Sequence, residues 1–180
     1  MNNINSICLY CGASPDVAEI YKKAAVDFGS YCAQNGLELV YGGGHTGLMG
    51  IAADAALQHG GKVTGIIPDF LVQKEVAHRG LDQLYITQNM HERQHKMAEL
   101  SDAFVMLPGG LGSLAEFFEI VTWRQLGLHN KPIYVYNIGG YWNELDTMIG
   151  HIKQSGFLRG EVKNLYRMIN DLDEIAGIKI

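Results

Sequence analysis

Apolar segments of strand length alternate with amphipathic segments of helix length along almost the whole chain. Chains with this alternation form βαβ units, in which parallel strands make up one sheet and helices cover both of its faces. Segments such as ICLY and IYVYN are almost entirely apolar, which is typical of strands buried on both faces. The strands are predicted at residues 6–10, 37–41, 63–67, 84–87, 103–107 and 133–137, with a further one near 166–169. We therefore expect residues 1–180 to form a single Rossmann-like, doubly wound α/β domain with a mainly parallel sheet.

Capping residues and glycines predict where the helices begin and end. Ser14 followed by Pro15 is typical of an N-cap and a first helical position, and Gly36 is typical of a helix end, so the first helix is predicted between them. The other helices are predicted at residues 46–59, 90–100, 113–126 and 141–155, with a last short helix in the tail. Ligands of such sheets bind at the carboxyl ends of the strands, where the strand order reverses. We therefore expect the site in the loops after strands one, two, four and five.

The composition disfavours several classes of protein. The net charge is −5 and no basic run exists, which argues against binding to nucleic acid but not against a small phosphorylated ligand. No apolar run reaches the roughly 18 residues that a membrane helix needs, and the N-terminus lacks the basic region of a signal peptide. The three cysteines are an odd and sparse set that suits a reducing compartment, so a cytoplasmic protein is expected. Cys8 and Cys11 form a C-x-x-C pair, but Cys8 lies within the first predicted strand and is interpreted as a core residue rather than a redox group.

Two glycine-rich segments, YGGGHTGLMG (residues 41–50) and LPGGLGSLAEFFE (residues 107–119), each connect a strand to a helix. Glycines let a ligand approach the backbone, and the free amides at the start of the following helix favour an anion, so both segments are candidate phosphate sites. Each is also compatible with a simple tight turn. Neither continues into the Gly-Lys-Ser/Thr of a Walker A loop, and the first strand-to-helix turn, CGASPD, lacks the three glycines of a dinucleotide site.

Three side chains near these segments each allow two interpretations. Ser113 and Glu116 have the Ser-x-x-Glu spacing of a capping box. A carboxylate one turn from a bound phosphate could instead meet positive charge that develops on an attached sugar. Arg93, near the start of a helix on the ligand side of the sheet, is either a solvated side chain or a permanent cation that grips a phosphate or carboxylate by two hydrogen bonds.

The stretch HERQH (residues 91–95) matches the H-E-x-x-H pattern of zinc metalloproteases. The pattern arises by accident in any large set of proteins, and a catalytic zinc needs a third protein ligand. His129 and His151 have no pattern that ties them to this helix. Zinc hydrolysis is therefore only an alternative, and we expect no metal and no other cofactor.

Three motifs in one order, GGGxxGLMG, MHERxxxM and PGGxGSxxE, resemble the LONELY GUY (LOG) family of cytokinin riboside 5′-monophosphate phosphoribohydrolases, often mislabelled in the past as lysine decarboxylases. The similarity covers most of the chain and includes YCGAS, IIPDFLVQKEVAH and TWRQLGLHNKPIYVYNIGGYWNEL. The resemblance implies hydrolysis of the N-glycosidic bond of an adenosine 5′-monophosphate, N6-modified or plain, which releases free cytokinin base or adenine and ribose 5-phosphate. It also implies a homodimer or higher homo-oligomer with its active site near the subunit interface.

The resemblance further implies roles for individual residues. Arg93 and Glu116 correspond to the catalytic arginine and glutamate of the family. The substrate-binding residues would be Gly109, Gly110, Gly112 and Ser113 at the 5′-phosphate, Glu75 near the ribose, Met90 at the base, and Ser14 and Gly44 along the nucleotide pocket. The chain departs from the family at Gln94, where lysine is usual, at Ser113, where threonine is usual, and at Ala115, where glutamate is common.

Two other functions compete with this one. A non-catalytic carrier or sensor of a nucleotide or of the molybdenum cofactor could share the fold and the glycine loops, although the presence of both Arg93 and Glu116 favours an enzyme. A pyridoxal-phosphate-dependent decarboxylase would need a Schiff-base lysine, and no lysine of the chain lies in a context that suggests one.

Overall fold

The computed structural model describes residues 4–72, 77–158 and 160–175. The strands are β1 (Ser6–Tyr10), β2 (Glu38–Tyr41), β3 (Val63–Pro68), β4 (Gln83–Thr87), β5 (Ala103–Met106), β6 (Ile133–Tyr136) and β7 (Arg167–Ile169). The helices are α1 (Glu19–Gln34), α2 (Gly47–Gln58), α3 (Met90–Leu100), α4 (Leu111–Gln125) and α5 (Asn143–Gln154). Every predicted strand agrees with an observed one to within one residue at each end. In the described residues, no helix combines the length and the apolar character that a bilayer span requires.

One sheet contains all seven strands, in the order β4-β3-β2-β1-β5-β6-β7. Every neighbouring pair in it is parallel. Ile7 and Leu9 of β1 pack in one hydrophobic layer with α1 and α2, whereas Cys8 and Tyr10 pack in the other with α3, α4 and α5. Helices therefore cover both faces, which explains why β1 is buried at every residue. The predicted Rossmann-like α/β fold with a parallel sheet is confirmed.

The first helix begins later than its sequence predicts. α1 begins at Glu19 with Ala18 as its N-cap, so the prediction that Ser14 and Pro15 start this helix is wrong. Residues 11–18 form an irregular loop instead. In this loop the Gly12 amide donates to the Pro108 carbonyl (3.0 Å), and the Gly12 carbonyl accepts from the Leu48 amide (3.0 Å). Such long-range backbone bonds compete with helix formation, and local capping preferences do not reveal them.

The helix after β5 begins earlier than predicted. α4 starts at Leu111, two residues before Ser113, and its N-cap is Gly110, with no side-chain capping bond. Ser113 therefore lies in the first turn of the helix rather than at its cap. The capping-box interpretation of Ser113 and Glu116 is therefore wrong.

The strand order reverses between β1 and β5. The chain proceeds outwards from β1 to β4 on one side of the sheet and from β5 to β7 on the other. The loops that follow β1 and β5 consequently diverge, which leaves a crevice at the carboxyl edge of the sheet.

Candidate active site

A cavity of about 470 Å³ lies at this crevice. Its walls come from the loop after β1, the start of α2, the start of α3, and the loop after β5 with the first turns of α4. These are the loops after strands one, two, four and five, where the sequence predicts the site. Arg93, Ser113 and Glu116 are each positioned by one of these strand-to-helix connections, whereas Tyr141, which also lines the cavity, follows β6.

Arg93, near the start of α3, lines the cavity although its side chain is almost completely buried. Its Nε donates to the carbonyl oxygen of Ile66 in β3 (3.2 Å), and its Nη2 donates to that of Gly42 after β2 (3.3 Å). Glycine is needed at position 42, because a Cβ there would lie 2.0 Å from Arg93 Nη2. Main-chain acceptors thus hold the guanidinium in one orientation, and Arg93 is not a solvated side chain.

Glu116, on α4, faces Arg93 from the neighbouring helix. Its side chain is also buried, and its Oε1 lies 3.6 Å from Arg93 Nη1. Buried charges are expensive unless an opposite charge is near, so each group lowers the cost of burying the other. The pair places a carboxylate and a permanent cation side by side at one wall of the cavity.

The glycine loop after β5 forms another wall, to which Gly109, Gly110, Gly112 and Ser113 contribute. In the part of the chain that the structure describes, the first amide of α4 that donates to a backbone carbonyl is that of Leu114, which bonds Gly110 (3.1 Å). The amides before it can donate to an anion, which the positive end of the helix dipole also favours. The loop is compact, because a Cβ at position 109 would lie 2.1 Å from Ser113 Oγ.

The glycine loop after β2 contributes differently. Leu48 and Met49 of the following helix line the cavity. Gly44 is absent from its wall and pairs instead with Ala77 in an isolated antiparallel bridge. The structure therefore does not bring Gly44 to the cavity, and a role for it in substrate binding stays a prediction.

The other predicted substrate-binding residues divide into two groups. Ser14 and Met90 line the cavity, and so does Gln94, the position at which the chain departs from the family motif. Glu75 lies outside the described residues, so its placement near the ribose stays a prediction.

Sequence reasoning missed part of the cavity wall. The apolar side chains of Val17 and Tyr21 line it, as does Tyr141, whose hydroxyl donates to the carbonyl oxygen of Gly109 (2.8 Å). Tyr141 follows β6, and no local pattern relates it to a loop 32 residues earlier. The sequence offers two signals, the pair of glycines before Tyr141 and its place in a segment that resembles the family, and neither shows what this turn approaches.

Known proteins share both the sequence and the fold of this chain. A family model described as "Possible lysine decarboxylase" matches residues 49–178. The chain is 43% identical over 176 residues to the cytokinin riboside 5′-monophosphate phosphoribohydrolase of Rhodococcoides fascians. The matched residues cover 97% of this chain and 89% of that protein. The chain is 40% identical over 160 residues to an Arabidopsis thaliana protein of the same name, with 89% and 70% coverage. The chain belongs to the LOG family.

Solved structures similar to this LOG chain share its architecture. One is the molybdenum cofactor carrier protein of Chlamydomonas reinhardtii, with a TM-score of 0.71 and 21% identity over 93% of this chain and 90% of that chain. Another is the molybdenum cofactor binding protein of Rippkaea orientalis, with a TM-score of 0.68 and 20% identity over 95% of this chain and 91% of that chain. At such identities the likeness concerns the fold alone.

The HERQH stretch of this LOG chain stabilises a helix start. Asn89 is the N-cap of α3 and accepts from the amide of Glu92 (2.9 Å), while Glu92 Oε2 accepts from the amide of Gln88 (3.0 Å). Within residues 4–72, 77–158 and 160–175, neither His91 nor His95 belongs to a group of three side chains close enough to hold a metal ion. The glutamate of the motif is thus a capping residue, and the geometry does not support a zinc hydrolase.

A different cluster, which we call the His–Asp–His cluster, consists of His45, Asp54 and His78. Asp54 on α2 lies 3.0 Å from His45 Nε2 and 2.9 Å from His78 Nε2. Among the described residues these three side chains are close enough to hold a metal ion. However, His78 Nδ1 accepts from the amide of Gly80 (3.0 Å), so the hydrogen-bond network assigns the ring proton to Nε2, which then donates to Asp54. The cluster is therefore a hydrogen-bonded unit rather than a metal site.

Hydrogen bonding in this cluster affects Asp54. Burial, the largest single effect, acts to raise the pKa of its carboxyl group, but the bonds from His78 and His45 together lower it below the ordinary value. The carboxylate is consequently favoured in the folded LOG chain.

The three cysteines are buried and form no disulfide. Burial raises the pKa of the Cys8 and Cys32 thiols well above the ordinary value, so neither forms a nucleophilic thiolate at neutral pH. Cys8 is a core residue, as its position in the first strand predicts, whereas Cys11 lines the cavity.

Proposed function

We propose that this chain hydrolyses the N-glycosidic bond of an adenosine 5′-monophosphate, N6-modified or plain, and releases free cytokinin base or adenine and ribose 5-phosphate. The observation that carries the proposal is the buried Arg93–Glu116 pair in a cavity that also contains the glycine loop at residues 109–113. The names of the two relatives, both cytokinin riboside 5′-monophosphate phosphoribohydrolases, support it. The proposed reaction involves groups of this chain, the substrate and water.

The 5′-phosphate binds at the glycine loop after β5. The amides at the start of α4 and the Ser113 hydroxyl donate hydrogen bonds to its oxygens, and the helix dipole favours its charge. This binding energy, remote from the reacting bond, fixes the ribose for attack. A nucleoside without the phosphate therefore reacts poorly.

Glu116 acts on the ribose and on the attacking water. As the bond to the base breaks, the ribose gains oxocarbenium character, as a sugar does in glycoside hydrolysis. The carboxylate of Glu116 stabilises that charge and orients or deprotonates the water. The water oxygen joins the anomeric carbon, one water proton is released, and the base departs with the electrons of the broken bond and takes up a proton.

Arg93 has a supporting role, because its guanidinium does not lose a proton and cannot serve as a base. With Nη1 3.6 Å from Oε1 of Glu116, it keeps that carboxylate in place. Its charge is also available to the phosphate, the ribose or the departing base.

The base lies against the apolar part of the cavity. This part is lined by Val17, Tyr21, Leu48, Met49 and Met90. Aromatic and apolar side chains suit a planar base and an alkyl substituent on it, and about 470 Å³ is a usual volume for a small-molecule site. Ser14 is a further expected contact of the nucleotide.

The test is to incubate the purified protein with AMP, isopentenyladenosine 5′-monophosphate and the two matching nucleosides, and to measure released base by chromatography. We expect release from the monophosphates and little from the nucleosides. Tight binding of a monophosphate without release of base would indicate a carrier or sensor instead. Absence of both binding and release would contradict the proposal. The relative rates on the two monophosphates show which base the cavity prefers.

We also propose that the chain forms a homodimer or higher homo-oligomer and works in the cytoplasm. Leu111, at the start of α4 beside the glycine loop, is 85% exposed, and Leu126 and Leu128 after its end are 68% and 69% exposed. Large apolar side chains exposed at both ends of one helix suit a surface that a second subunit covers. Sedimentation of the purified protein tests this, and a monomer at all concentrations would contradict it. The proposed compartment rests on the odd and sparse set of three cysteines, which suits a reducing environment.

A further inference from the structure

Tyr141 connects the end of β6 to the glycine loop after β5. Its hydroxyl donates to the carbonyl oxygen of Gly109 at 2.8 Å, and its side chain lines the cavity. The two residues belong to different strand-to-helix connections. Tyr141 therefore contacts the glycine loop from outside and restrains its conformation.

The bond to the Gly109 carbonyl fixes more than one atom. The carbonyl of Gly109 and the amide of Gly110 belong to the same planar, trans peptide unit, so their C=O and N–H directions are opposite. Gly110 is the N-cap of α4, and its amide belongs to the group at the helix start that is free to meet an anion. When the Tyr141 hydroxyl holds the carbonyl in place, the direction of this amide is held as well.

The tyrosine is itself held in place. Its ring packs edge-to-face against Tyr21 (centroids 5.3 Å apart) and against the buried Trp142 (4.7 Å). Gly139 and Gly140 before it have φ angles of 60° and 77°, a left-handed backbone conformation that favours glycine. Glycine-rich loops have many accessible φ angles. A hydrogen bond from outside the loop to Gly109 therefore lowers the number of loop conformations, and with it the conformational entropy that is lost when the phosphate binds.

We propose that Tyr141 is a positioning residue that preorganises the glycine loop for the 5′-phosphate, and that it thereby sets the preference for phosphorylated over unphosphorylated substrates. This inference rests on the proposed function, since it concerns the same site. Tyr141 acts through the Gly109–Gly110 peptide. Its effect is therefore confined to ligands that carry the phosphate.

The experiment compares Tyr141→Phe with wild type on AMP and on adenosine. The variant keeps the ring and loses one hydrogen bond, whose usual net contribution corresponds to about a 2- to 13-fold change in an equilibrium constant. We expect KM for AMP to rise by that factor, while kcat on AMP and kcat/KM on adenosine stay nearly unchanged. Tyr166→Phe is the matched control, because it removes a hydroxyl that donates to Asp146 at 2.8 Å outside the cavity. It should alter none of these constants.

Binding measured without hydrolysis separates this inference from the proposed function. By titration calorimetry, wild type should bind ribose 5-phosphate more tightly than Tyr141→Phe does, by the same factor, whether or not any base is released. If wild type hydrolyses AMP and Tyr141→Phe retains the wild-type KM, the inference fails and the proposed function stands. An equal loss on AMP and adenosine, or no binding of ribose 5-phosphate to wild type, also overturns the inference.

Discussion

Arg93 and Glu116 lie on two different helices, yet Arg93 Nη1 is 3.6 Å from Glu116 Oε1 and both side chains are buried. A buried ion pair is often no more stabilising than apolar residues of similar size. Stability alone therefore does not explain why two charges are placed at the wall of a cavity. Their placement is explained if the carboxylate meets a developing positive charge and the guanidinium orients it.

Glu116→Gln should lower kcat about 10²- to 10⁴-fold, because an amide neither accepts a proton nor carries the charge that stabilises an oxocarbenium ion. Steady-state release of base from AMP measures this, with circular dichroism as the test of folding. Glu119→Gln is the matched control one turn further along α4. Glu119 is not among the residues that line the cavity, so this change should leave kcat unaltered. Full activity of Glu116→Gln would refute the assigned role.

Gly42→Ala should abolish most activity by displacing Arg93. The added Cβ would lie 2.0 Å from Nη2, so the guanidinium loses its bond to the Gly42 carbonyl and moves relative to Glu116. A small misplacement of this kind costs about 10²-fold in rate. Gly150→Ala on α5, where a Cβ meets nothing within 4 Å, should keep full activity and gain about 0.5–1 kcal/mol of stability. Kinetics and thermal unfolding of the two variants test the contrast.

Asn89→Ala should lower the free energy of unfolding by about 0.5–2 kcal/mol, since it removes the N-cap of α3. Denaturant unfolding measures this.

His91→Ala and His95→Ala should keep activity, and EDTA should not reduce it, because the HERQH stretch stabilises the start of the helix and does not bind a metal. Activity assays with and without the chelator decide this. Loss of activity in both histidine variants together with chelator sensitivity would restore the zinc hypothesis.

Asp54→Asn should destabilise the protein at neutral pH and less so in acid. Because the folded-state pKa of Asp54 lies below the ordinary value of 3.8, its carboxylate contributes stability that is fully present well above 3.8 and is lost as the pH falls through the folded-state value. The difference in melting temperature between wild type and Asp54→Asn should therefore shrink between pH 7 and pH 3. Asp69→Asn, in an exposed turn, is the control. A difference that stays constant with pH would contradict the role of the His–Asp–His cluster.

The strands of this chain were predictable because their pattern is local. A run such as ICLY is apolar at each position, and the sheet buries β1 on both faces as that run indicates. The start of α1 was not predictable, because Ser14 and Pro15 carry the right local preferences but the Gly12 backbone bonds to Pro108 and Leu48 hold the loop in another path. At α4 the same reasoning placed the cap at Ser113, whereas the helix begins after Gly110.

The candidate site was predictable in part. The motifs supplied Arg93 and Glu116, and the alternation of strands and helices placed both at the carboxyl edge of the sheet. The 3.6 Å separation between them, however, depends on how two helices pack, which no spacing in the sequence encodes. The contact of Tyr141 with Gly109 and the three members of the His–Asp–His cluster were missed for the same reason. The Tyr141 contact and the bond between His78 and Asp54 join residues that are far apart in the chain.

Arg93 is oriented by carbonyl oxygens of the main chain, at Ile66 and Gly42. Every amino acid carries such an oxygen, so exchanging the side chain at position 66 leaves the acceptor in place. An insertion or deletion in the turn after β2 or within β3 is different, because it shifts the oxygens themselves. The orientation of Arg93 therefore tolerates a change of side chain at position 66 but not at Gly42, where a Cβ would meet the guanidinium, and it is vulnerable to changes in the length of these two segments.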